Sequence, residues 1–120
     1  MEIFTKNKFD LEDRTLQFAK NVVRFINKLP RTLANIEYGK QVIRSAGSIG
    51  ANYIEANEAL GKRDFRMKIK IARKEAKETA YWLRLLISIN PKLFTKEGKS
   101  LISEANELKR IFSSIVEKTK

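Results

Sequence analysis

A chain of 120 residues that is 42% hydrophobic and 32% charged is long enough for one globular domain with a modest core, and too apolar for a disordered tail. Twenty-five Lys and Arg against 14 Asp and Glu leave a formal charge of +11, which attracts polyanions and puts nucleic acid first among expected partners. With no Cys and no His, disulfide frameworks, cysteine nucleophiles, the usual serine triads and most zinc sites are excluded.

The N-terminal MEIFTKNKFDLEDR lacks the apolar core of a signal peptide and is cut by Lys6, Lys8 and Asp10, so a cytoplasmic location is expected. Leu11, Phe18, Val22, Phe25 and Ile26, with Leu29 just beyond, follow helical spacing until Pro30 stops the pattern. Asp10 is the expected cap of this first helix. After a connection over Pro30 to Thr32 the pattern resumes to Leu60, where Gly61 and Asp64 read as an end and a new start. A third helix is predicted over Asp64 to Ile89, closed by Asn90-Pro91, and a fourth over Thr95 to Val116. Strand signals are absent. The longest apolar run, Tyr81 to Ile89, is interrupted by Arg84 and reaches about half of the roughly 20 residues a membrane span requires. The predicted fold class is all-α: a single up-down-up-down antiparallel four-helix bundle over residues 1–120.

The middle helices carry more apolar surface than one core needs. At 100° per residue, Phe65, Ile69, Ala72, Ala76, Ala80, Leu83 and Ile87 share the face expected to form the bundle core. Roughly opposite, Met67, Ile71, Trp82, Leu85 and Ile89 form a second stripe broken only by Glu78. Helix two repeats the pattern, with Ile36, Ile43, Gly47, Gly50 and Ile54 on one side and Val42, Ile49, Tyr53, Ala56 and Leu60 on another. Val42, Ile49, Tyr53, Met67, Ile71, Trp82 and Leu85 are therefore the expected oligomer interface, with Trp82 its aromatic anchor. The alternative is a broad face wrapped by helices one and four.

Between the stripes of helix three lie Arg66, Lys70, Arg73, Lys74, Lys77 and Arg84, with Tyr81 beside them and no acid among them. The segment Lys62 to Arg84 holds nine basic and three acidic residues, a net +6. Like charges at i,i+3 and i,i+4 cost an isolated helix a few tenths of a kcal/mol per pair, which bound phosphates would offset. Such a face positions a phosphate backbone and carries little base code, so binding independent of sequence is expected, with Tyr81 placed to stack on a base.

Ser45, Ala46, Gly47, Ser48, Gly50 and Ala51 match neither a P-loop nor a dinucleotide fingerprint, and a close helix crossing accounts better for two glycines inside a helix. Asn52 and Glu55, on the polar side of that helix, are the candidates for a structural polar contact. Glu75 and Glu78 stand one turn apart, but each has Lys or Arg nearby, and a di-iron bundle would want Glu-x-x-His pairs that this chain lacks. Neither an enzyme nor a cofactor is expected.

The segment LPRTLANIEYGKQVIRSAGSIGANYIEANEALGKRDFRMKIKIARKEAKETAYWL resembles the four-helix-bundle proteins encoded in intervening sequences of bacterial 23S ribosomal RNA genes, and the similarity covers nearly the whole chain. It is carried by Ser48-Ile49-Gly50-Ala51-Asn52 with Glu55, Asp64-Phe65, Ile71-Ala72 through Glu78, and Tyr81-Trp82-Leu83. Ala56 departs from the glycine that often follows the glutamate, which bears on local helix geometry. The resemblance implies a bacterial, homopentameric ring or barrel, and kinship with the basic accessory proteins of diversity-generating retroelements, which bind nucleic acid and a reverse transcriptase. The expectation is a non-enzymatic, homo-oligomeric accessory protein that binds nucleic acid, RNA in the first place. Its rival is a protein-interaction scaffold for an acidic protein partner, such as an adaptor for a reverse transcriptase.

Overall fold

Pro30, Gly61 and Pro91 divide the chain into four helices: α1 (Glu2–Lys28), α2 (Leu33–Asn57), α3 (Lys62–Ser88) and α4 (Thr95–Lys118), with a 3-10 turn at Lys92–Phe94. The computed structural model describes the backbone of residues 2–120 and side chains from residue 11 onward. Because α1 begins at Glu2, Asp10 lies within it and not at its cap, and the Asp10 side chain is outside the described residues. Thr32 caps α2, accepting from the Asn35 backbone N–H at 3.1 Å. α2 ends at Asn57, three residues short of Leu60, which is fully exposed. Extended Gly61 precedes α3, and Asp64 sits in its first turn, where the helix dipole favours a carboxylate.

Every neighbouring pair of helices is antiparallel. On α1 and α2, Thr15 faces Gly50 while Ile26 faces Gly39. On α2 and α3, Tyr38 stacks on Trp82, Ser45 bonds Thr79 at 2.8 Å, and Glu55 meets Lys68. On α3 and α4, Ile87 packs on Gly98 and Arg66 reaches the carbonyl of Val116; on α4 and α1, Glu104 and Glu97 pair with Arg14 and Lys28. Short connections between antiparallel neighbours make the up-down-up-down four-helix bundle, measuring 46 × 23 × 19 Å. At one end Asn35 and Asn90 exchange amide hydrogen bonds at 2.7 and 2.8 Å, and each also donates to a backbone carbonyl, of Pro30 and Leu86 respectively. This pair ties the α1–α2 connection to the α3–α4 connection.

The core runs along the bundle axis: Phe18, Val22 and Phe25 from α1, Val42, Ala46, Ile49 and Tyr53 from α2, Ile69, Ala76, Leu83 and Leu86 from α3, and Leu108 and Phe112 from α4. Val42 and Ile49 are 0% exposed and Tyr53 is 4%, so these three are core residues, not a subunit interface. The two faces of α2 are thus the reverse of the expectation. α1 and α3 flank the Val42–Ile49–Tyr53 face, and Gly39 and Gly50 lie toward α1 while Gly47 is exposed. Ile36, Ile43 and Ile54 are left outside, Ile54 at 49% exposed. On α3 the core face stands where it was predicted, although Phe65 and Ile87 are only partly buried and Thr79, Glu75 and Leu86 join the interior.

Gly50 and Gly47 part company. A Cβ on Gly50 would lie 2.8 Å from Thr15 Oγ1, so a close α1–α2 crossing requires glycine there; at Gly47 nothing lies within 4 Å, and crowding does not explain it.

Candidate nucleic-acid interface

Helical geometry brings Arg66, Lys70, Arg73, Lys74, Lys77, Tyr81 and Arg84 onto one outward strip of α3 about 27 Å long, taking 1.5 Å per residue from position 66 to 84. Lys70, Lys74, Lys77 and Arg84 are exposed, and Arg66 and Arg73 are half-buried at the flank. Tyr81 is 56% exposed and meets the Trp82 ring edge-on at 5.2 Å, which leaves the phenol available as a stacking surface.

The ion pairs avoid this strip. Among the described residues, acids pair with Arg14, Lys28, Lys40, Lys68, Arg110 and Lys120, and of these only Lys68 belongs to α3. Lys68 lies toward α2, where hydrogen bonding to Glu55 at 3.0 Å raises the lysine's pKa above its ordinary value. On α4 the pairing of Glu107 with Arg110 lowers the pKa of that carboxyl. Both of these pairs lie off the strip. Arg66 is the one strip cation with a side-chain hydrogen bond among the described residues, its guanidinium lying 3.5 Å from the Val116 carbonyl while its Nε is buried without an acceptor.

The second apolar stripe of α3 is divided. Trp82 is half-buried, stacked on Tyr38 of the same protomer with ring centroids 5.7 Å apart, so part of its aromatic surface is already used within the bundle. Ile71 and Leu85 are likewise half-buried, while Met67 and Ile89 remain more than 50% exposed. The wrapping by α2 accounts for the inner edge of the stripe and leaves the outer edge open.

Asn52 donates to the Ser48 carbonyl of its own helix at 2.8 Å, and Glu55 accepts from Lys68, so both polar candidates are engaged within the protomer. Glu75 is 7% exposed, and its Oε1 is buried without a hydrogen-bond partner. Glu75 stands near basic residues in the sequence, and periodicity alone does not show that it turns into the interior. Among the described residues no group of three His, Cys, Asp or Glu could hold a metal ion, and no helix is long and apolar enough to cross a membrane.

Fold and surface together define an all-helical, four-helix-bundle protein with an unpaired basic strip on its third helix. A family model described as 23S rRNA-intervening sequence protein matches residues 7–114, and the chain belongs to that family. A solved crystal structure from Bacteroides thetaiotaomicron, described as a protein of unknown function from the S23 ribosomal protein family, is 34% identical with a TM-score of 0.73. The match covers 88% of this chain and 97% of that one. No curated protein matches the sequence.

Proposed function

We propose that this chain is a non-enzymatic, homo-oligomeric nucleic-acid-binding accessory protein that holds RNA through its phosphates, acts in the cytoplasm and needs no cofactor. The observation that carries the proposal is the strip of α3, a line of cations without a matching acid in a protein that pairs six cations elsewhere among its described residues. Phosphate contacts of this kind supply affinity and orientation with little discrimination between bases. Membership in a family named for ribosomal RNA intervening sequences favours RNA over other polyanions. The exposed Ile36, Ile43, Ile54, Met67 and Ile89 supply the apolar surface for self-association, and the resemblance noted above makes five copies the expected number.

Exchanging Lys70, Lys77 and Arg84 for Glu tests the reading. All three are exposed, and the change takes the formal charge from +11 to +5 without touching the core. A protomer that neutralises about five phosphates should lose roughly two to three decades of duplex affinity between 50 and 200 mM salt, and the triple variant should lose both the affinity and most of the slope. A folded triple variant with wild-type affinity and salt slope would sink the proposal and leave a scaffold for an acidic protein as the better account.

A further inference from the structure

At the end of the bundle where α3 begins and α4 finishes, the basic strip runs into a depression of about 470 Å³. Lys62, Arg63, Arg66 and Lys70 line it from α3, Lys120 closes it from the end of α4, and Met67 supplies an apolar wall. No acidic side chain lines it. Lys62 and Arg63 also stand in the first turn of α3, where the positive end of the helix dipole disfavours cations.

Part of this charge has an internal explanation. Lys62 donates to the backbone oxygen of Lys120 at 2.9 Å and Arg66 reaches the Val116 carbonyl, so two cations serve backbone oxygens at the end of α4. Lys120 is paired with Glu117 at 3.0 Å. Arg63 and Lys70 are exposed and make no ion pair or side-chain hydrogen bond among the described residues, and Arg66 keeps a buried Nε–H without an acceptor. Uncompensated charge therefore gathers at a concave end, whereas along the strip cations stand about one per helical turn on a convex surface.

We propose that this cup takes the terminal phosphate of a nucleic-acid strand whose backbone lies along the strip, a proposal that rests on the phosphate-binding reading of α3. A terminal monophosphate carries close to two negative charges near neutral pH and three oxygens free to accept, against a single charge on each internal phosphodiester. Its best site is one where guanidinium and ammonium groups converge from several sides, with Arg63 able to bind two oxygens at once. The end of α4 walls the cup on one side.

The test uses three single-stranded RNAs of one sequence, ending in a 5′-phosphate, a 3′-phosphate or hydroxyls alone, titrated against wild type and Arg63→Gln. One phosphorylated end should tighten wild-type binding by about tenfold, as suits charge-assisted bonds to a dianion, and which end does so identifies the source of the phosphate. In Arg63→Gln, folded by circular dichroism, the preference should vanish while hydroxyl-ended RNA binds with little change. Equal wild-type affinity for all three strands would overturn the cup, as would a preference that survives in Arg63→Gln. If the hydroxyl-ended strand still binds with a steep salt dependence in those cases, the strip reading stands. No salt-sensitive binding to any of the three would instead remove the strip reading, and the cup with it.

Discussion

Two glycines three residues apart on α2 show how far a single position can be read from sequence. Both look alike in a run of small residues, yet a Cβ on Gly50 meets Thr15 at 2.8 Å and one on Gly47 meets nothing. Thr15 cannot yield freely, because its hydroxyl donates to the Leu11 carbonyl at 2.8 Å within a fully packed region. Gly50→Ala should therefore destabilise the fold by about 1–3 kcal/mol through overpacking. Gly47→Ala should stabilise it by about 0.5–1 kcal/mol, since alanine loses less backbone freedom in a helix. Urea unfolding of the two variants checks the contrast, and a destabilising Gly47→Ala would mean that a neighbouring copy approaches there. The sequence limited these positions to close approach but could not say which glycine faced α1. That depends on the rotation of α2, fixed only when Val42, Ile49 and Tyr53 turn inward.

The number and order of the helices were legible because Pro30, Gly61 and Asn90-Pro91 act locally, although α1 begins at Glu2 and not after Asp10 and α2 stops at Asn57 short of Leu60; the core face of α3 was legible too, since its alanines and leucines leave little choice. The faces of α2 were not. Both of its stripes are apolar, and the decision between them lies in neighbours: Tyr38 finds Trp82, Ser45 finds Thr79, and Gly39 admits Ile26. The basic strip was readable as a pattern, whereas its continuation into the end cup required the fold to bring residues 119 and 120 beside Lys62. The same holds for the link between the two connections at that bundle's other end. Asn35 is 5% exposed, and its amide and that of Asn90 satisfy one another. Asn35→Ala would leave the Asn90 side-chain oxygen without its donor, at a cost of about 1–3 kcal/mol, while the Pro30 carbonyl keeps the Thr32 N–H and the Asn90 amide N–H keeps the Leu86 carbonyl. Denaturation should show a lower midpoint with an unchanged m-value, because no core surface is exposed in the folded state. An effect below a few tenths of a kcal/mol would mean that water replaces the pair without loss.

At the scale of the whole molecule, the two open apolar strips differ in composition and in place. One comprises Ile36, Ile43 and Ile54 on the α1 side of α2; the other comprises Met67 and Ile89, with the edges of Ile71 and Leu85, on α3. Between them runs the exposed polar ridge of α2, with Glu37, Lys40, Arg44, Glu55 and Glu58. Unlike strips on separate sides suit a head-to-tail contact, in which the α2 strip of one copy meets the α3 strip of the next and the chain of contacts closes into a ring. Each basic strip would then face outward once per copy, and a long RNA reaching several of them would bind with avidity beyond any single face. Light scattering of the wild type should report several times 13.9 kDa. Ile54→Glu and Met67→Glu each break one strip at an exposed position, so each alone should lose the ring while keeping its helical content. Mixed together, they retain one intact strip of each kind between them, and a head-to-tail contact predicts heterodimers that grow no further. A twofold contact of like strips predicts instead that each variant forms a homodimer alone and that mixing changes nothing. Ile49→Asp serves as the contrast, since its side chain is 0% exposed and its loss should unfold the protomer without releasing a folded one.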